Sequence, residues 1–382
     1  MTVRPTGATG AVTRSDFFAA AAAWFFCVVL VIYISPVGKD LIAEQMVARA
    51  VVDGIGPYAP LSELQERYGG PVDWEFTSPR TPAAIGLVVP MASIPTATLI
   101  QVMTVVHVTA MLAVAILSAR MAGRSLKVTA LMFPLLVGSG PGGSMIAHAN
   151  LSPLIGLAVV WTWWSLRKGD SWVAGLPLGI AASVRLFPGV LALVLLVGGR
   201  RRAGLVALAA TVALNLAGLL IPGVTFAGSV RALAGTDEFF AHSGSFSVAG
   251  VAVRYGLPFS IGRSASLLLP AILVLWVVIE RPRWERGMLL TAPLMLLVNP
   301  TSWPHYMATA GPSVARLHRT LLALVLVLWQ IPVLGAPIGL SLMISLVVVV
   351  LGLSLGYDVS RERRDRGLER SGFYATTGDR VP

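Results

Sequence analysis

Asp40 and Glu44 lie four residues apart, six and ten residues beyond the first apolar run, so on a helix both carboxylates share one face. A carboxylate at that place, where chain leaves membrane, suits a general base that takes a proton from an acceptor hydroxyl. The plainer alternative is an interfacial carboxylate in water. Arg185 stands in Ser183-Val184-Arg185-Leu186-Phe187-Pro188, between two apolar runs. Its planar fork fits a phosphate, although an arginine there can also reach to lipid headgroups. His305 opens a segment after the turn Asn299-Pro300-Thr301-Ser302-Trp303-Pro304, and His148 and Asn150 follow the run Gly138-Ser139-Gly140-Pro141-Gly142-Gly143. These side chains can hydrogen-bond a phosphate or a sugar, or sit as ordinary interfacial polar groups beside aromatic residues. The glycine run reads as a flexible link and lacks the Lys-Ser/Thr ending of a phosphate-binding P-loop. The five histidines lack metal-ligand spacing, and the single cysteine, Cys27, excludes an intramolecular disulfide and a cysteine metal site. No metal and no cofactor is expected.

The elements that must position these groups are set by composition. Of 382 residues, 55% are hydrophobic and 12% charged, against about 25% charged in a soluble domain. Apolar runs near the length of one bilayer crossing recur from Phe17 to Gly356. In lipid each backbone polar group must bond within its own segment, which favours helices, and the alternation of a membrane barrel is absent. The first run, Phe17 to Ile34, has no small-x-small cleavage site after it and reads as a retained helix. The net charge of +11 does not point to nucleic acid, because the basic residues fall in short clusters between apolar runs.

Those clusters mark cytoplasmic loops. Reading back from the basic tail, with spans near 126–141, 150–166, 171–184, 187–199, 203–221, 265–280, 287–299, 304–315, 320–334 and 336–356, puts every cluster on one side. With the first helix and a crossing at about 101–119, the expectation is an all-α polytopic bundle of about 12 transmembrane helices, a single domain with both termini cytoplasmic. The shorter runs must extend into neighbouring polar sequence to cross. Residues 79–97, with four prolines, form a re-entrant or juxtamembrane element. Inner segments then hold 21 of the 29 Lys and Arg. Two long outer segments, 36–80 and 222–264, are the expected functional loops, and 357–382 is a basic cytoplasmic tail.

The chain resembles the polyprenol-phosphate-mannose-dependent mannosyltransferases of the GT-C superfamily. Asp40-Leu41, Gly54-Ile55-Gly56-Pro57-Tyr58, Phe76-Thr77-Ser78-Pro79 and Val89-Pro90-Met91-Ala92 are similar in order and spacing to that family's post-helix Asp, "G-x-x-PY", "F-x-YPP" and "PLA". His148-Ala149-Asn150, Ala174-Gly175-Leu176 to Pro188, Ser245 to Gly250 and Asn299 to Tyr306 continue the likeness to about residue 310. Ser78, Arg80, His148 and Tyr306 depart from the usual Tyr, Pro, Gln and His.

The resemblance implies transfer of a sugar, mannose by family, from a polyprenyl-phosphate donor with inversion. Asp40 would be the base, with Arg185, His305, Arg80, His148, Asn150, Tyr58 and Tyr306 binding substrate. It further implies a glycolipid or lipoglycan acceptor of the envelope, membrane lipids as surroundings, and an extracytoplasmic active site on a multi-pass protein of the plasma membrane. A polyprenyl-phosphate-arabinose-dependent arabinofuranosyltransferase is an alternative on the same scaffold. A lipid-linked sugar flippase fits less well, since no internal repeat is found and polar groups gather at one face.

Overall fold

A computed structural model describes residues 12–34, 38–70, 79–169, 172–234, 245–300, 302–334 and 338–375. The motif positions Phe76, Thr77 and Ser78, and parts of both expected outer segments, lie outside these residues. The described residues are helical throughout, with no strand among them. The first apolar run forms α1 (Arg14–Ile34). Within the expected first outer segment, the described residues form α2 (Lys39–Val52) and α3 (Leu61–Tyr68). Then come α4 (Pro82–Val88), a 3-10 turn over Val89–Ser93, and α5 (Thr96–Met121). Thr81 caps α4 by accepting from Ala84 N at 3.2 Å, and Pro82 takes the position where a missing N–H costs nothing.

The segment after α5 is bent. α6 (Leu126–Val137) and α7 (Gly140–His148) meet at 64°. The glycine run, expected to be flexible, is instead the first turn of α7, and Ser139 caps it by accepting from Gly142 N at 3.2 Å. The bend requires glycine at one place, because a Cβ on Gly142 would stand 2.0 Å from Leu136 O. Next are α8 (Ser152–Lys168), α9 (Gly175–Val184), α10 (Gly189–Val197) and α11 (Arg201–Gly218). They are followed by α12 (Phe226–Ala234), α13 (Val248–Arg254), α14 (Phe259–Glu280) and α15 (Trp284–Val298). A 3-10 stretch over Pro304–Ala310 leads into α16 (Gly311–Ala315), α17 (Arg319–Gln330) and α18 (Ile338–Ala375).

Four helices are long and apolar enough to cross a membrane alone, Arg14–Tyr33, Thr96–Met121, Phe259–Glu280 and Ile338–Gly356, and the bent α6–α7 pair makes a fifth candidate. The protein is therefore a helical membrane protein. Of the other expected spans, α8, α11 and α15 have 17, 18 and 15 residues, close to the lengths read from sequence. α9 and α10 have 10 and 9 residues and do not extend into their flanks. Arg185 is extended at the end of α9, Pro188 follows, and Gly199 turns the chain at φ 94° after α10. The last helix, by contrast, runs beyond Gly356 to Ala375, through a segment rich in the helix former Arg.

Lipid offers helices no hydrophobic drive to associate, so close backbone packing of small residues carries much of the assembly. α9 shows this against α11. A Cβ on Gly175 would meet Ala203 O at 2.1 Å, and one on Gly179 would meet Ala207 O at 2.6 Å. Gly156 of α8 lies as tightly on Ala308, 2.5 Å from its Cβ. These two seams fix the end of α9 and the 3-10 stretch 304–310, which both carry site residues. The main core joins α1, α5, α8, α10, α15, α17 and α18, with Trp163 and Phe133 its largest enclosed side chains.

Candidate active site

Asp40 is placed by a turn that only glycine makes easily. Gly38 caps α2 at φ 64°, its N–H donates to Ala147 O at 3.0 Å, and a Cβ there would press on Ile100 at 3.2 Å. The first turn of α2 is thereby pinned to the end of α7. Ala149, which follows α7, has φ 51° and no exposed surface. A left-handed alanine is uncommon and mildly strained, and here it turns the chain between His148 and Asn150. Asn150 then donates from Nδ2 to Asp40 Oδ2 at 3.0 Å and accepts at Oδ1 from Ser152 N at 2.9 Å. The carboxylate and the amide come from segments 110 residues apart.

Burial raises the Asp40 carboxyl above its ordinary 3.8; His148, the Asn150 bond and Arg185 pull it back, and Glu44 adds to the rise. The group is a stronger proton acceptor than a carboxylate in water. Arg185, at the end of α9, has its guanidinium 6.0 Å from the Tyr306 ring centroid. Tyr306 also packs on Phe187 at 5.0 Å and edge-on to His305 at 4.6 Å. His148 and His305 have ring centroids 5.8 Å apart, and Trp303 stacks 7° from parallel on His305. Ser144 O accepts from His148 Nδ1 at 2.9 Å, so the imidazole proton sits there and Nε2 keeps its lone pair when neutral. His305 Nδ1 is buried without a hydrogen-bond partner among the described residues.

Of the residues singled out in the sequence, Asp40, His148, Asn150, Arg185, His305 and Tyr306 therefore converge. Arg80 joins through Glu44, whose Oε2 it meets from Nε at 2.5 Å. Tyr58 is placed elsewhere. Its hydroxyl bonds Thr225 O at 3.0 Å and Ser229 Oγ at 2.6 Å, and its ring packs with Val51 at the far end of α2. That position ties the segment after α2 to the start of α12. The Ser245–Gly250 motif is held beside the 299–306 segment by Phe246 N, which donates to Ser302 O at 3.0 Å. Phe187 was not singled out as a site residue, and nothing local in the sequence distinguishes it from other apolar residues after α9.

Beside the cluster lies an apolar cavity of about 470 Å³ between α5, α6, α7, the 304–315 segment and α17. Met145 and Met307 line it, three residues before His148 and two after His305. The site is thus a polar, partly cationic cluster held by the helices of a membrane protein, and none of its residues lines the cavity itself. The model of glycosyltransferase family 87 matches residues 80–300, and the chain belongs to that family. It is a membrane glycosyltransferase, with a sugar donor and an acceptor as substrates. The matched residues include Arg80, His148, Asn150 and Arg185, whereas Asp40, Glu44, Tyr58, His305 and Tyr306 fall outside them. No curated protein and no solved structure is similar enough to match.

Proposed function

We propose that the protein transfers a sugar, mannose by its family resemblance, from a polyprenyl-phosphate donor to a hydroxyl of an envelope glycolipid or lipoglycan, with inversion, on the outer face of the plasma membrane. The observation that carries this reading is the convergence of Asp40, bonded to Asn150, with Arg185 and the His148–His305 pair beside an apolar hollow. In this reading the shorter helices complete a GT-C-like bundle of about 12 spans, and α2 and α3 stand on the outer side.

The chemistry follows from charge. The acceptor oxygen attacks the anomeric carbon on the face opposite the phosphate, and its proton passes to Asp40. The bond from that carbon to the phosphate oxygen breaks, and the electron pair stays with the oxygen. A singly charged phosphodiester thus becomes a phosphate monoester with a second negative charge, while Asp40 loses its own. Arg185 is in electrostatic range of Asp40, so its field is taken up by the phosphate as the carboxylate is neutralised. Such pre-placed charge is the largest single contribution available to an enzyme of this kind. The hollow by Met145 and Met307 accepts the first isoprenoid units. Membranes carrying the protein, supplied with radiolabelled polyprenyl-phosphate mannose and an extract of envelope glycolipids, test this. Label moving into a glycolipid with inverted anomeric configuration supports it, and no transfer from this donor rejects it.

A further inference from the structure

We propose that Glu44 is a positioning residue that holds Arg80 by Nε and leaves the other arm of that guanidinium as a second cationic donor to the phosphate, beside Arg185. This rests on the polyprenyl-phosphate reading above. Glu44 stands one turn after Asp40 on the same face of α2. It is buried, and so is Arg80. The Nε of Arg80 is 2.5 Å from Glu44 Oε2, but Nη1 is enclosed with no hydrogen-bond partner among the described residues. A buried guanidinium N–H left unpaired is costly, and it calls for a ligand or another explanation.

Its surroundings point to the phosphate. The next residue, Thr81, donates from its hydroxyl to Ser183 O at 2.5 Å, two residues before Arg185. Arg80 and Arg185 are thereby stitched to one place, with Asp40 and Glu44 on the facing helix. A carboxylate held side-on takes Nε, and at most Nη2 with it, so Nη1 points away from Glu44. The contact through Nε leaves the Nη1 arm free, and a planar fork can then join a carboxylate to a phosphate. Glu44 is in this account not a base. It is already spoken for by a guanidinium, whereas Asp40 is bonded among the described residues through an amide N–H.

The test uses the full chain in lipid nanodiscs with undecaprenyl phosphate as probe, undecaprenol as the uncharged control, and sugar transfer measured alongside. Arg80→Lys is the decisive variant, because Nζ lies one bond beyond the position of Nε and keeps the pair with Glu44 but has no second nitrogen. We expect Arg80→Lys and Glu44→Gln each to weaken undecaprenyl phosphate binding about tenfold or more, raising the donor KM more than they lower kcat. Undecaprenol binding stays as it was. A purely structural ion pair survives Arg80→Lys, so unchanged phosphate binding in that variant, with normal binding by the unmodified protein, overturns the assignment. Loss of kcat in Glu44→Gln with phosphate binding intact overturns it too and makes Glu44 a base. If the unmodified protein does not prefer the phosphate to the alcohol, the polyprenyl-phosphate reading itself fails.

Discussion

Replacing Asp40 by asparagine isolates proton acceptance from every other property of the site. An amide at position 40 can turn its carbonyl oxygen to Asn150 and keep the 3.0 Å bond, so α2 and the end of α7 stay joined. What is lost is the capacity to take a proton, and general-base contributions are typically about 10²–10⁴-fold in rate, or roughly 3–5 kcal/mol of barrier. Donor binding holds, since Arg185 keeps its charge and is relieved of one carboxylate in its field. The assay is transfer of labelled mannose in membranes with matched abundance of each variant, at saturating donor, with donor binding measured separately. Expected is a fall in kcat of about 10² or more with little change in donor affinity. Near-normal turnover by Asp40→Asn would falsify the role of Asp40, and Glu44 and Asp53 would then be the described carboxylates to examine.

Asp40 works ionised and its carboxyl is raised by burial, so activity should be lost as pH falls through a midpoint above the ordinary 3.8. The Asn150 bond holds that value down, and Asn150→Ala should therefore move the acid limb of the pH–rate profile to higher pH; a limb that stays put or moves down refutes the pairing. Arg185→Ala should lower kcat/KM for the donor by about 10² and Arg185→Lys by less than about tenfold, whereas equal mild effects would return Arg185 to a headgroup contact. Gly142→Ala forces a Cβ to within 2.0 Å of Leu136 O, so the α6–α7 bend must open at a cost of about 1–3 kcal/mol; a variant with unaltered melting temperature and activity contradicts the tight turn. In a Cys27→Ser background, Glu66→Cys should react with an impermeant maleimide added outside intact cells, and Arg201→Cys only after permeabilisation. The reverse pattern inverts the topology.

The positions of the helices were legible because lipid-facing composition repeats at every apolar run, and each run from Phe17 to Gly356 is a helix or a broken helix. Their lengths were not. Pro188 and Gly198-Gly199 stop α10 at nine residues, and hydropathy carries on smoothly across such breaks. The four-residue spacing of Asp40 and Glu44 correctly suggested one helical face, since α2 spans both. The partners of the two carboxylates were not readable, because Asn150 and Arg80 are brought in from 110 and 36 residues away. The glycine run before His148 misled for a physical reason: glycine signals freedom in a sequence, but between Leu136 and Pro332 it signals crowding.

In the proposed topology the shortness of α9 sets how deep in the bilayer the reaction would take place. At about 1.5 Å per residue, its 10 residues cover roughly 15 Å, whereas the 26 residues of α5 cover roughly 39 Å. A hydrocarbon layer is about 30 Å thick, so in the proposed outer-facing arrangement α9, even with the 3-10 turn Trp172–Ala174 before it, would carry Arg185 only part of the way across. In that arrangement the donor would draw its phosphate downward, and the acceptor would lower a sugar into the recess above Arg185. Such a recess admits a flexible glycan terminus and turns away a compact, membrane-flush headgroup. Selectivity among acceptors is in that case set by reach before it is set by any hydrogen bond.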